Sequence, residues 1–285
     1  MASAWHEHAP FAFWVMDAVR PKTVVELGTH NGFSFFVFCE AAKRLRLSTN
    51  LYALDSWQGD DQAGFYDQRV FESVSEIVSE NYLDHAHLVK GYFSESVANF
   101  DDGSIDLLHI DGRHGYDDIT EDFATYLPKL SSHAVVLFHD THEFQEGFGV
   151  HRFWGELADR YPSFQFTHGH GLGVLAVGPS IPPAIAAMLD EARSSADAIR
   201  LSYKNLGRAV SRQFVLEVDH FQLIHELRLR VVEMEQHGQA LEAQFEHVCG
   251  ELEKATKAVG EMKASASWRV TKPLRAVSEL IHRRP

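Results

Sequence analysis

The chain has 285 residues, enough for one substantial core plus an appendage, and 26 Lys and Arg against 40 Asp and Glu give a formal net charge of -14. Such a charge repels a phosphate backbone and excludes a general nucleic-acid binder. The two cysteines, Cys39 and Cys249, are far apart and lack metal-ligand spacing, which excludes a disulfide framework or a Cys-type zinc site and fits a reducing cytosol.

The opening residues MASAWHEHAP lack the basic start and unbroken apolar core of a signal peptide. No window reaches the roughly 18 apolar residues of a membrane span. A soluble, cytoplasmic protein is expected, peripheral to the membrane at most. Phe11 to Arg20, ahead of Pro21, reads as an amphipathic helix covering a sheet. From there to Gly178, seven apolar runs of strand length follow: TVVEL at 23, LYAL at 51, HLV at 87, IDLLHI at 105, AVVLF at 134, FQF at 164 and GVLAV at 173. Segments long enough for crossover helices separate the first five, the pattern of a parallel sheet wound with helices on both faces. Only THGHGLG separates the last two, which suits a hairpin. The expected fold is a Rossmann-like, doubly wound α/β domain with a mainly parallel seven-stranded sheet and an antiparallel last strand, followed by a coiled coil.

PSIPPA marks the end of that domain, placed at 1–180, and 181–213 reads as a helical connector. Over 214–263, Ile224, Val231, Gly238, Phe245, Leu252 and Val259 share one heptad position. Leu227, Met234, Leu241, Val248, Ala255 and Met262 follow each by three residues. Six such heptads, with only Gly238 poor for packing, predict a coiled coil and a homo-oligomer. The competing reading is a long helix packed back onto the domain. The tail, 264–285, together with Lys263 just before it, has Arg269, Lys272, Arg275, Arg283 and Arg284 about a single acid, Glu279, with Leu274, Val277 and Ile281 at helical spacing and Trp268 nearby. This basic amphipathic pattern suits an anionic membrane surface, or equally a solvated tail or a segment docking on another protein.

In parallel sheets ligands lie beyond the carboxyl ends of the strands, so polar residues placed there carry the chemistry. The first group is VVELGTHNGFS, in which strand, Glu26, Gly28 and Gly32 precede a helix. Glycines let the backbone pass close to a ligand, and the helix start offers free N–H groups. The dinucleotide pattern is absent because Thr29, His30 and Asn31 separate the two glycines. Second, Asp55 closes LYALDS, where a carboxylate can accept hydrogen bonds from both hydroxyls of a ribose. The structural alternative for the first motif is a tight strand-to-helix turn. Third, Asp111 and His114 follow IDLLHI while His139, Asp140 and His142 follow AVVLF. Parallel strands bring the two groups to one edge, where two carboxylates and up to three imidazoles can converge. Capping by Asp111 and a core role for His139 are the structural alternatives.

With these residues the chain from Phe11 to Gly178 resembles the class I S-adenosylmethionine-dependent methyltransferases. LDSWQGDDQAGFY, GSIDLLHIDGRHGYDDITEDF, LPKLSSHAVVLFHDTH, FGVHRFWGELADRYP and GHGLGV look more narrowly like a bacterial glycan-associated branch related to the macrocin and mycinamicin sugar O-methyltransferases. The resemblance implies S-adenosylmethionine as cofactor. Glu26, Gly28 and Gly32 would line its methionine part with Thr29 and Ser34, Asp55 its ribose, Ser94 or Glu95 its adenine side, and Asp111 would border it. It implies a glycan or lipid-linked saccharide acceptor, with His114 as general base three residues after Asp111. In those relatives the aspartate before the base joins an acidic pair to bind magnesium. Here the metal set is Asp111, His139 and Asp140, and a histidine replaces one carboxylate. That change either moves preference from magnesium toward manganese, iron or zinc, or marks a site without metal. SASWRVTKPLR looks like a segment found on bacterial glycosyltransferases, implying such a partner near membrane-bound glycan. The rival readings are a metal-dependent oxygenase or hydroxylase and a non-catalytic coiled-coil scaffold. Trp57 and Tyr66 in the loop after Asp55, and His170 in HGHGLG, are candidate borders of the ligand or acceptor site.

Overall fold

A computed structural model describes residues 3–60, 64–65, 68–273 and 275. Tyr66 and the tail positions Leu274, Val277, Glu279, Ile281, Arg283 and Arg284 lie outside the described residues.

A 3-10 turn at Ala4–His8 leads into α1 (Ala9–Val19), with Pro10 in its first turn, where a missing N–H costs nothing. The alternation then proceeds as β1 (Thr23–Leu27), α2 (Phe33–Leu45), β2 (Asn50–Asp55), the two-residue strands β3 (Gly59–Asp60) and β4 (Gly64–Phe65), α3 (Gln68–Asn81), β5 (Ala86–Lys90) and α4 (Phe93–Ser96). There follow β6 (Ile105–Ile110), α5 (Tyr116–Tyr126), β7 (Leu130–His139), α6 (Val150–Ala158), β8 (Ser163–Phe166), β9 (Leu172–Ala176), α7 (Pro183–Ala264) and α8 (Ala266–Val270). Seven strands form one sheet in the order β5-β2-β1-β6-β7-β9-β8. All its pairings are parallel except those of β9, which runs antiparallel to β7 and β8, so the expected sheet and its reversed last strand are both present. Strand β7 starts earlier than its apolar run because the Ser132 carbonyl still pairs with the Ser180 N–H at 2.9 Å. The β3–β4 ribbon carries no apolar run and was not expected.

Burial on both faces explains the near-continuous apolar strands. One face packs against α1 and α2 through Phe11, Val15, Phe35 and Phe38, the other against α5 and α6 through Phe123, Phe153 and Trp154. Strand β6 nonetheless carries two polar side chains in a fully buried run, and each is paired in place, although the His109 Nε2 atom finds no partner. The Asp106 carboxylate accepts the Lys22 and Thr23 N–H groups at 2.7 and 3.2 Å and meets His133 Nε2 at 3.0 Å. His109 faces its register partner Glu26 on β1, with Nδ1 2.8 Å from Oε2. The polar positions thus tie β6 to β1 beside the switch point of the strand order.

The chain forms two compact units, Met1–Leu216 and Glu217–Pro285, so the first boundary falls well past residue 180. The segment 181–213, expected as a connector, is part of the first unit. Its start, α7 up to a kink at Ser195, buries Ile185 and Met188 against the sheet. Beyond the kink, Ile199 and Tyr203 pack on the same core, and Arg200 Nε donates to the Gln165 carbonyl of β8 at 2.8 Å. Gly207 lies so close to the Glu7 carbonyl that a Cβ would collide with it. Helix α7 runs through the expected boundary at 213, which falls inside the first unit, and in the second unit it extends to Ala264. It crosses Gly238, Gly250 and Gly260, each costing about 1 kcal/mol of helix stability relative to alanine. Ser265 caps α8, accepting the Trp268 N–H at 3.2 Å. No helix among the described residues is long and apolar enough to cross a membrane.

Because Ile185 is fully buried in this core, Ile185→Ala should destabilise the first unit by about 2–5 kcal/mol, read by urea denaturation. A change under about 0.5 kcal/mol would mean that the segment is only a linker.

Candidate active site

The carboxyl ends of β1, β2, β5, β6 and β7 open into a cleft of about 1100 Å³ within the first unit. One half is built on the turns after β1 and β2. Gly28 has φ +88°, and a Cβ there would run into the backbone of Asp111 and Gly112, so only glycine lets the β1–α2 turn close against the end of β6. The closure is held by Gly28 N–H donating to the Leu54 carbonyl (2.9 Å) and Asp111 N–H to that of Leu27 (2.8 Å). Asp55 Oδ2 accepts the Thr29 and His30 N–H groups at 2.9 and 2.8 Å, and Oδ1 accepts that of Trp57 at 2.7 Å. Three of about four acceptor positions on this carboxylate thus shape the loops, leaving about one for a ligand hydroxyl rather than a matched pair.

Gly28, Thr29, Gly32, Ser34, Asp55, Ser94 and Asp111 all line the cleft. Glu26 does not. It lies fully buried behind the wall against His109, and burial pushes its carboxyl up, against the opposing pull of His109. Of the pair Ser94 and Glu95, Ser94 is the lining residue.

The other half gathers the groups that follow β6 and β7. His139 Nε2 lies 3.2 Å from the Gly169 carbonyl, which only a protonated ring nitrogen can approach as a donor. His8 Nε2 reaches the same oxygen at 2.9 Å. With Nε2 carrying its proton, His139 turns Nδ1 toward Asp111 Oδ1 at 3.2 Å and Asp140 Oδ1 at 3.3 Å. Burial works against a charged His139 ring, but the Asp111 and Asp140 charges outweigh it and hold the imidazole well above its ordinary value. Asp111 and Asp140, also penalised by burial, are held below the usual carboxylate range by the histidines. His114 Nε2 meets Asp140 Oδ2 at 2.9 Å, and its ring stacks on Phe148 at 4.6 Å with 10° between planes. Burial disfavours its charged form as well, yet the hydrogen bond to Asp140 and the charge of Asp111 leave His114 raised.

The expected convergence thus involves two carboxylates and two imidazoles. His142 does not join them: it is exposed and packs edge-on against Phe144 at 5.0 Å, because its backbone N–H pairs with the His170 carbonyl and turns the side chain outward. Asp111, His139 and Asp140 each offer one ligand atom, all within 4.8 Å of one another. The donor set has the chemistry of a divalent-cation site, and a cation there would take the place of the Nδ1 proton of the charged His139 ring while Nε2 keeps its own on the Gly169 carbonyl.

Several lining residues carried no readable motif. Trp5, on the amino-terminal 3-10 turn, forms part of the wall and packs on His109 at 4.7 Å. Asp122, on α5, is pushed up to about 7 by burial and by the charges of Asp118 and Glu121, against Arg113. Glu143, Gln145 and Phe148 line the half beside His114; His170, an expected candidate border, lines it too, 3.5 Å from Glu143. Backbone strain marks the region too. Of the six non-glycine residues with positive φ among the described residues, Arg20 and Arg46 end helices, whereas His30, Asp140 and His170 line the cleft and Trp57 adjoins it.

Residues 25–141 match the family model described as a methyltransferase domain. That span runs from within β1 to just past β7 and takes in the strands β1, β2, β5, β6 and β7 whose carboxyl ends build the cleft. The uncharacterized protein y4gI of Sinorhizobium fredii is 44% identical over 201 residues, which are 70% of this chain and 22% of that protein. The chain therefore spans about a fifth of that relative's length. Among solved structures, a putative caffeoyl-CoA O-methyltransferase from Staphylococcus aureus is 13% identical with a TM-score of 0.48, covering 60% of this chain and 83% of its own. An O-methyltransferase from Bacillus cereus in complex with SAH is 13% identical with a TM-score of 0.46, covering 59% and 80%. A methyltransferase from Geobacter sulfurreducens is 17% identical with a TM-score of 0.44, covering 59% and 76%. At these values the likeness says nothing of substrate or acceptor.

Removing the Asp55 carboxylate leaves three loop N–H groups without their acceptor, and each such group costs about 1–3 kcal/mol. Asp55→Ala should lower stability by at least about 2 kcal/mol in urea denaturation, even without ligand. An unchanged midpoint would assign Asp55 to ligand contact alone.

Proposed function

We propose that the chain is an S-adenosylmethionine-dependent O-methyltransferase acting on a sugar hydroxyl of a bacterial surface polysaccharide or its lipid-linked precursor. The observation that carries the hydroxyl chemistry is the His114–Asp140 pair beside the Asp111, His139 and Asp140 cluster, at the carboxyl edge of a methyltransferase-domain sheet. The saccharide class rests on the sequence resemblance. It is supported by an acceptor side rich in hydrogen-bonding groups, namely Arg113, Glu143, Gln145 and His170.

An alcohol is a poor nucleophile while protonated, and the donor's methyl group is already activated as a sulfonium, so the protein's work is alignment and deprotonation. Glycine-closed turns after β1 hold the donor half of the cleft. In the acceptor half the His114 imidazole takes the hydroxyl proton, and Asp140 balances the positive charge that forms on the ring. Phe148, stacked on that ring, fixes its plane. The acceptor oxygen forms a bond to the methyl carbon as the carbon–sulfur bond breaks, releasing S-adenosylhomocysteine and a methyl ether. A divalent cation held by Asp111, His139 and Asp140 would lower the pKa of the acceptor hydroxyl and orient a vicinal pair.

Calorimetric titration should show S-adenosylhomocysteine binding at micromolar levels, and absence of binding would overturn the proposal. His114→Ala should lower kcat for transfer of labelled methyl to a saccharide acceptor by about 10²–10⁴ while leaving that affinity within about twofold. Mn²⁺ should bind the wild type and bind Asp140→Asn at least about tenfold more weakly, as loss of one ligand requires. Equal affinity would remove the metal from the mechanism.

A further inference from the structure

We propose that the second unit pairs with the same helix of a second copy as a parallel, in-register, two-stranded coiled coil. Among the described residues of the second unit no other long helix packs along α7, and the seam is uncovered. Apart from the half-buried Ile224, its apolar seam residues are exposed, from 43% at Val259 to 75% at Met234. Side-chain choice along the seam selects the number of strands. Ile224, Val231 and Val259 put β-branched residues at the first core position, while Leu227 and Leu241 occupy the second, the combination that favours parallel pairs over trimers or tetramers.

Flanking charges select the direction. In a parallel pair, the residue just before each first core position faces the residue five places later on the other chain. Arg230 then meets Glu235 of the other copy, and His237 meets Glu242. Leu223 faces Arg228, Gln244 faces Cys249, Glu251 faces Thr256 and Ala258 faces Lys263, so no like charges oppose across the seam. An antiparallel pair with the same seam in full overlap sets Glu242 against Glu242 of the other copy, a like-charge contact. Within one helix, Arg230 also lies 2.8 Å from Glu226, an exposed contact it can keep while reaching across the seam. The occupant that matches this seam in apolar pattern and in charge is therefore the chain itself.

The test is sedimentation equilibrium of the full chain. The expected result is a species of twice the 32.2 kDa chain mass. Arg230→Glu should weaken dimerisation at least tenfold, as should Glu235→Arg, and mixing the two variants should restore a heterodimer. Val248→Cys combined with Cys249→Ser should form an intermolecular disulfide on mild oxidation, since position 248 meets itself only in the parallel register. Cys39 is buried and does not compete. A monomer at all concentrations, a trimer or tetramer, charge variants without effect, or failure of the Val248→Cys, Cys249→Ser variant to cross-link would each overturn the proposal.

Discussion

The Gly169 carbonyl accepts hydrogen bonds from two buried imidazoles, His8 Nε2 and His139 Nε2, and the state of the cleft depends on it. A backbone oxygen cannot exchange roles, so it fixes which nitrogen of His139 carries the proton and leaves the other facing Asp111 and Asp140. The reach of the bond is longer than the cluster. It joins the end of β7 to the turn before β9 and, through His8, to the amino-terminal 3-10 turn. His8 itself is held well below its ordinary value by burial and by the neighbouring His139, so it stays neutral and serves as a fixed donor.

Polar groups within the core serve the same end by a different route. Asp106 and His109 would each be costly in a buried strand if unpaired, since an isolated buried polar group costs several times what a hydrogen bond returns. Here one gathers two N–H groups from the start of β1 and the other meets Glu26 on the same strand. Register between β1 and β6 is thereby fixed by specific contacts as well as by apolar packing. Gly28 and Asp111, at the ends of these two strands, meet in the floor of the cleft, so a slip of one residue would separate the glycine-turn half from the half that holds Asp111 and His139.

Strand positions and the reversed last strand were legible because buried parallel strands leave unbroken apolar runs and short hairpin connections leave no room for a helix. The grouping of Asp111 and His114 with His139 and Asp140 was legible because both follow core strands that must emerge on one edge. Other features were not. Trp5 sits 23 residues before Gly28, and nothing local shows that a 3-10 turn will carry it into the wall. The positive φ of Asp140 and His170 is a tertiary property, since their residue types tolerate other conformations. Glu26 has the right type and spacing for the cleft, but its pairing with His109 turns it inward. The segment after 180 read as a connector because its polar face dominates the pattern, while the Ile185 and Met188 contacts depend on an edge that only the assembled sheet creates.

The most direct test of this account is the protonation pattern of His139, read from a two-bond proton–nitrogen correlation spectrum of the imidazoles and assigned with His139→Gln. The account predicts that Nε2 keeps its proton throughout, and that adding diamagnetic Zn²⁺ moves the Nδ1 resonance to the range of a metal-bound nitrogen. A neutral ring protonated on Nδ1, or an Nδ1 resonance indifferent to the cation, would contradict it.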